Sequence, residues 1–212
     1  MVSGIRVVDR DYMILREIDR WRVVTGRHIC GLVGFGGQRA CDRRLRKLID
    51  AEILQRKKVF YGFPSIYSLT VNGQTMLGIP KKAEKLRVEQ IPHDMAVTDT
   101  AIYFNHRYGI PFSNMTTEKQ LHQRDGFSVR KHRPDFIFQW REKTYCVEVE
   151  LSLKSFDRFS KNITDNFTAY DGQFWIVPSS GSRIASHLLS MRQSYPNIKI
   201  IELSEVKSYE SC

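Results

Sequence analysis

Residues 146–155, "CVEVELSLKS", alternate apolar and polar side chains in the pattern of a β-strand. Because successive side chains of a strand point to opposite faces, Glu148, Glu150 and Lys154 share one face. Two carboxylates and a lysine collected on one side are the residue types of a catalytic site. This strand therefore constrains both the fold and the chemistry that the chain can support.

A preceding segment, "RPDFIF", is predicted to pair with this strand. If the hairpin turn is centred between Arg141 and Glu142, Asp135 falls opposite Glu148. Opposed Cβ atoms lie about 4.5 to 5.5 Å apart, and two carboxylates this close repel each other unless a cation lies between them. A divalent metal ion meets that need, because Mg²⁺ commonly takes one or two protein carboxylates and completes its shell with water and phosphate oxygens.

The predicted metal site would cleave a phosphodiester bond, because a bound metal polarises the phosphate and activates water. Lys154 is then placed to stabilise the negative charge that develops on the phosphate, provided that the strand stays regular to that point. The alternative is an exposed edge hairpin whose carboxylates are simply solvated.

The charge balance favours a polyanionic partner. The chain has a formal net charge of +10, and fourteen Lys and Arg residues against seven Asp and Glu fall before Pro80. Clustered basic residues gain affinity by displacing counterions from phosphates. No segment approaches the roughly 18 consecutive apolar residues of a membrane span, so we expect a cytoplasmic protein without membrane insertion.

The first 80 residues carry three helical patterns. The third, in "GGQRACDRRLRKLIDAEIL", has apolar residues on one face and basic residues on the other, which is typical of a DNA recognition helix. Its basic face consists of Arg39, Arg43, Arg46 and Lys47.

A β-hairpin is predicted directly after this helix. In "ILQRKKVFYGFPSIYSLT", alternating residues flank Gly62 and Pro64, with Arg56, Lys57 and Lys58 at the base of the hairpin. Three helices followed by a hairpin predict a winged helix-turn-helix that binds double-stranded DNA. The alternative is an ordinary three-helix unit whose basic face is only solvated.

A second domain is predicted from residue 90. The predicted division is a DNA-binding domain at 1–80, a basic linker at 81–89 and a second domain at 90–212. Strands are expected at 115–120, 133–139 and 145–151, followed by a helix with an apolar stripe and then by strand, helix and strand. The stripe comprises Phe156, Phe159, Ile163 and Phe167. The order αβββαβαβ, behind three helices and a hairpin, predicts an α+β protein.

The two paired strands resemble the PD-(D/E)XK nuclease signature, because "RPDFIF" is followed by "VEVELSLKS". Glu150 occupies the position of the lysine in the usual acid-x-lysine motif. The same replacement is found in some restriction enzymes. The order αβββαβ is similar to that superfamily's core and implies a restriction-endonuclease-like domain. The resemblance implies that Asp135, Glu148 and Glu150 are metal-binding and catalytic residues. Glu118 of "TTEKQL" is a further acidic candidate for the metal site.

Together with "PHDMAVTDTAIYF" and "TTEKQL", this combination resembles the bacterial replication-relaxation family, which includes the MobC-type relaxases of mobilisable plasmids. The resemblance implies site- and strand-specific nicking at a plasmid transfer origin with Mg²⁺ or Mn²⁺, and a mobilisation coupling or accessory protein as a further partner. Two alternatives stay open. One is a non-catalytic DNA-binding accessory protein with a degenerate nuclease fold, and the other is a transcriptional regulator.

Overall fold

The computed structural model describes residues 5–81, 87–126, 131–152 and 155–208. It is a mixed α+β structure with helices and two sheets, which confirms the predicted class. The chain divides into two compact units, one extending to Thr98 and the other beginning at Asp99. The first unit thus extends past the predicted linker at 81–89, of which residues 82–86 lie outside the described ranges.

The first unit contains a three-stranded antiparallel sheet in which the third strand along the chain lies between the first and the second. The second and third of its strands form the predicted hairpin, and a fourth helix that the sequence pattern did not indicate follows them. The elements are α1 (Asp9–Trp21), β1 (Val24–Thr25), α2 (Gly26–Val33), α3 (Gln38–Asp50), β2 (Leu54–Lys57), β3 (Ile66–Leu69) and α4 (Val71–Leu77).

Local sequence signals account for the helices of this unit. Thr25 caps α2 by accepting a hydrogen bond from the backbone N–H of His28. Helix α3 is amphipathic, and Cys41, Leu45 and Leu48 on its apolar face are buried. The third predicted helix therefore forms where the sequence pattern indicated, with its apolar face buried.

The second unit is built around a five-stranded sheet with the order β4-β5-β6-β7-β8. The division between the two units falls within α5 (Ile91–Tyr108). The elements after it are β4 (Met115–Thr117), α6 (Glu118–Asp125), β5 (Phe136–Trp140), β6 (Lys143–Val149), α7 (Phe156–Ala169), β7 (Gly172–Val177), α8 (Arg183–Met191), β8 (Ile198–Glu202) and α9 (Leu203–Ser208). Short 3₁₀ helices lie at Val88–Gln90 and Phe112–Asn114.

Helices cover both faces of this sheet. The strand pairs β4/β5 and β5/β6 are antiparallel, whereas β6/β7 and β7/β8 are parallel. On one face, Phe104 of α5 makes an edge-on contact with Phe174, with ring centroids 5.0 Å apart. On the other face, Phe159 of α7 packs against Trp175 at 4.8 Å. Strand β6 is consequently buried on both sides from Cys146 to Val149.

The observed order of elements differs from the predicted αβββαβαβ. Helix α6 separates the first two strands of this unit, because Thr117 ends β4 and caps the helix by accepting a hydrogen bond from the N–H of Gln120. The prediction that residues 115–120 form one strand was therefore wrong. Glu118, expected on a strand, lies in the first turn of α6.

Candidate functional site

The hairpin of β5 and β6 has the predicted register. Trp140 pairs with Lys143, and Arg141 and Glu142 form the turn with φ angles of 48° and 63°. Positive φ at both central residues is the geometry of a tight type I′ turn. At the other end of the ladder Phe136 pairs with Val147, so the next position along the same register sets Asp135 opposite Glu148.

Asp135 and Glu148 are held in different ways. The Oδ2 atom of Asp135 accepts a hydrogen bond of 2.7 Å from the backbone N–H of Val149. The Glu148 residue is only 8% exposed, and its Oε1 atom accepts a hydrogen bond of 2.8 Å from the side-chain amide of Asn166. The same Oε1 atom lies 2.5 Å from Nε2 of His132. Glu148 is thus fixed by two partners, whereas Asp135 is anchored to the backbone of the neighbouring strand.

The fold explains why Asn166 reaches Glu148. Residue 148 lies beside Trp175 of β7 in the parallel ladder, on the face of the sheet that α7 covers. The buried residues of α7 are Phe159, Ile163 and Asn166, spaced by four and three along the helix. Asn166 is therefore the polar member of an otherwise apolar stripe, and it is placed directly over the buried carboxylate.

Burial and charge shift the pKa values of this pair. Burial raises the pKa of Glu148, and the Asp135 carboxylate raises it further, while His132 and Asn166 act in the opposite direction without cancelling the increase. Burial lowers the pKa of His132, but its hydrogen bond to Glu148 and the charges of Glu148, Asp165 and Asp135 outweigh burial and leave the pKa raised. The imidazolium form of His132 is therefore favoured beside the carboxylates.

The other predicted catalytic residues are placed less directly. Strand β6 ends at Val149, so Glu150 lies one residue beyond it, half-buried, with its N–H donating to the carbonyl of Ile176. The backbone N–H of Glu118 donates to the carbonyl of Asp135, but its side chain lies 3.4 Å from His122 on its own helix. Lys154 lies outside the described residues. Within the described ranges, no group of three or more His, Cys, Asp and Glu side chains could hold a metal ion.

All seven predicted DNA-binding residues are exposed in the first unit. Four lie on the solvent face of α3, two on β2 and one directly after β2. In that order they are Arg39, Arg43, Arg46, Lys47, Arg56, Lys57 and Lys58. Their neighbour Arg44 is different, because it pairs with the fully buried carboxylate of Asp11 and serves the packing of α3 on α1.

His132 and Asn166 belong to the site but are not among the residues predicted from the sequence. His132 lies ahead of β5 in a segment without a periodic pattern, so no residue spacing indicated which face its side chain would occupy. Asn166 carried a usable signal, because its positions relative to Phe159 and Ile163 place it on the buried stripe of α7. Phe156 and Phe167 were assigned to that stripe instead, but they are 49% and 40% exposed.

The fold and the site together define a mixed α+β protein with an exposed basic helix in one unit and a carboxylate pair with a buried histidine contact in the other. A family model described as replication-relaxation matches residues 15–170, and the chain belongs to this family. This membership indicates a role in plasmid replication or relaxation and the involvement of DNA. No individual curated protein matches the chain. Within the described ranges, no helix is both long enough and apolar enough to cross a bilayer.

Proposed function

We propose that the protein is a divalent-metal-dependent, site-specific DNA nickase that acts at a plasmid transfer origin in mobilisation or in relaxation of plasmid DNA. In this proposal the first unit is a winged helix that binds double-stranded DNA. The second unit is a PD-(D/E)XK-like nuclease domain that cleaves one strand. A MobC-type relaxase activity of this kind agrees with membership of the replication-relaxation family.

The observation that carries the proposal is the position of Asp135 opposite Glu148, one position beyond the last pair of the β5/β6 ladder. The pair lies on the face of the sheet that α7 covers. Burial raises the pKa of Glu148, and the charge of Asp135 raises it further. Two carboxylates on opposed positions of one face favour a cation between them, because each disfavours the charged form of the other.

The residues present fit a hard cation with few protein ligands. Both hydrogen bonds to Glu148 fall on Oε1, and no described residue donates a hydrogen bond to Oε2. Mg²⁺ and Mn²⁺ accept carboxylate oxygens and keep several positions for water and phosphate, so Asp135 and Glu148 would hold the ion without a third carboxylate. When bound, the ion would polarise the scissile phosphate and activate water. Glu150 and Lys154 are proposed as further catalytic residues.

The chain's own residues set the geometry of this site. Val149 fixes Asp135 through its backbone N–H, and Asn166 fixes Glu148 through its side-chain amide. Groups locked by hydrogen bonds of this kind are preorganised, so binding a phosphate would cost little rearrangement. His132 acts as a positioning residue that holds the orientation of the Glu148 carboxylate.

The winged-helix assignment is supported by the order of elements in the first unit. Helix α1, strand β1, helices α2 and α3 and the β2/β3 hairpin follow one another in the order of a winged helix-turn-helix. The exposed basic face of α3 would enter the major groove, and the basic residues of β2 would contact phosphates along the adjacent backbone.

The test is conversion of a supercoiled plasmid carrying the native locus into open circles. Wild-type protein is incubated with Mg²⁺, with Mn²⁺ and with chelator, beside Asp135→Ala and the matched control Glu142→Ala, whose carboxylate lies in the exposed hairpin turn. We expect nicking with metal only, its loss in Asp135→Ala and its retention in the control. Wild-type nicking rates in Asp135→Ala would overturn the assignment of the site.

A second function is favoured by one specific observation. The Glu148 carboxylate already has a partner within the protein, because Nε2 of His132 lies 2.5 Å from its Oε1 atom and the carboxylates raise the pKa of His132 despite its burial. A buried carboxylate that is paired with a histidine can serve a structural role without a metal, as in a non-catalytic DNA-binding accessory protein whose nuclease fold is a scaffold. That alternative predicts tight binding to the locus by both wild type and Asp135→Ala, without conversion to open circles under any metal condition.

A further inference from the structure

The loop of the β2/β3 hairpin, residues 58–65, presents an aromatic side chain that is almost fully exposed to solvent. Tyr61 is 97% exposed, and no other exposed large hydrophobic side chain of the described residues is as open to solvent. Exposed apolar residues are common singly, but a ring of this size usually buries much of its surface. The position of Tyr61 therefore requires a separate explanation.

The loop places this ring by anchoring the residues beside it. Phe60 packs against the buried cluster of Val23, Ile66 and Ile91. Phe63, which is 48% exposed, lies against Phe60 with ring centroids 5.4 Å apart. The partly buried Phe60 thus packs on the core and contacts Phe63, and Tyr61 between them is left exposed on a supported loop.

The charges around Tyr61 specify the chemistry of a partner. Lys58 Nζ lies 5.4 Å from the centre of the Tyr61 ring, within the range of a cation–π contact. Arg56 and Lys57 are exposed on the same hairpin. An aromatic ring next to several cations matches a nucleotide, because the ring can stack on a base while the cations contact phosphates.

We propose that the 58–65 loop binds an unpaired nucleobase by stacking it on Tyr61, with Lys58 contacting the adjacent phosphate. Bases within an intact duplex stack on one another and do not offer a free face, so the loop would select single-stranded or locally opened DNA. This inference rests on the proposed function in taking DNA as the partner, and it adds a preference for unpaired strands that the recognition helix does not provide.

The experiment measures the affinity of the full chain for a fluorescently labelled oligo-dT single strand and for a labelled duplex of the same length, in chelator so that no cleavage occurs. The proteins are wild type, Tyr61→Ala, Tyr61→Phe and Tyr12→Ala. Tyr12 is a matched control because it is an exposed tyrosine of the same unit, on α1. Thermal unfolding of each variant verifies that the fold is retained.

We expect Tyr61→Ala to weaken single-strand binding by about 5- to 150-fold, the range associated with loss of one base–aromatic stack. Duplex binding should change by less than about twofold, and Tyr61→Phe should bind as wild type because it keeps the ring. Unchanged single-strand affinity in Tyr61→Ala would overturn the proposal. If that variant instead loses binding to anionic phosphatidylglycerol vesicles, the loop would be assigned to a lipid surface.

The outcome is separate from that of the nickase proposal. Binding in chelator does not require an active site, so absence of nicking by wild type leaves the stacking result standing. Conversely, nicking that persists in wild type while Tyr61→Ala binds single strands normally would overturn only the assignment of the loop.

Discussion

His132 and Asn166 both contact the Oε1 atom of Glu148, at 2.5 Å and 2.8 Å. His132 precedes the β5/β6 hairpin in the chain, and Asn166 lies on helix α7 after it. One partner is a histidine whose raised pKa favours a positive charge, and the other is a neutral amide. A buried carboxylate is tolerated only when it is paired and hydrogen-bonded, so these two contacts are what allow Glu148 to be buried.

Removing His132 should destabilise the second unit. His132→Ala leaves the Glu148 carboxylate buried beside Asp135 without its cationic partner, and loss of one member of a buried pair costs roughly 3 to 5 kcal/mol. Urea denaturation followed by tryptophan fluorescence measures the change in the free energy of unfolding. The control is His122→Ala, whose half-exposed side chain pairs with Glu118 at the surface and should cost less than about 1 kcal/mol. Equal losses in the two variants would contradict a special role of His132.

Removing Arg44 should destabilise the first unit in a similar way. Asp11 is fully buried, accepts a hydrogen bond from the N–H of Val8 and pairs with the Arg44 guanidinium. Arg44→Ala would leave that carboxylate uncompensated, at a cost of roughly 3 to 5 kcal/mol in the free energy of unfolding. Arg43→Ala, one position earlier and exposed, should stay within about 0.5 kcal/mol of wild type. Chemical denaturation of both variants decides the question.

The interactions of Asp125 should make the free energy of unfolding depend on pH in the acid range. A hydrogen bond from Lys131, together with the charges of Lys131 and Arg124, holds its pKa below the ordinary value of 3.8, and Arg133 also donates to it at 3.2 Å. Because the folded-state pKa is the lower one, this stabilisation is present above pH 3.8 and is lost as the pH falls through the folded value. Asp125→Asn should therefore flatten the loss of stability below about pH 4. An unchanged slope between pH 5 and about pH 2 would contradict the pairing.

The basic face of α3 should contribute to DNA affinity through contacts with phosphates, and the salt dependence of binding should show how many. Arg43→Ala and Arg46→Ala should each weaken duplex binding, and the dependence of log affinity on log salt concentration should become shallower by about 0.9 for each phosphate contact removed. Arg158→Ala, an exposed arginine on α7, is the matched control for loss of one charge. The measurement is fluorescence anisotropy over a series of salt concentrations. The same slope in all four proteins would exclude α3 from the interface.

Those parts of the fold that depend on local periodicity could be predicted from the sequence. Alternation on both sides of a short turn was enough to place Asp135 opposite Glu148, because a hairpin's register follows from its turn. The amphipathic pattern of α3 likewise separated its buried residues from its exposed arginines. Each of these predictions used information contained within about 20 neighbouring residues.

The remaining features depend on contacts between distant segments. His132 reaches Glu148 across 16 positions, and no periodic pattern in its segment indicated this contact. Asn166 was overlooked because aromatic residues at similar spacing made a more hydrophobic stripe, although the structure exposes Phe156 and Phe167. Helix α6 differs from the prediction for a local reason, since Thr117 and Gln120 form a capping box where the sequence pattern predicts that the strand continues.

Binding of Mn²⁺ to the DNA-free protein tests the central claim most directly, because it asks whether the Asp135–Glu148 pair accepts a metal or is satisfied by His132 alone. Calorimetric titration of wild type, Asp135→Ala and Glu142→Ala measures the number of ions bound. We predict one ion per chain in wild type and in Glu142→Ala, and none in Asp135→Ala. Absence of binding in wild type, or equal binding in Asp135→Ala, would contradict the metal site.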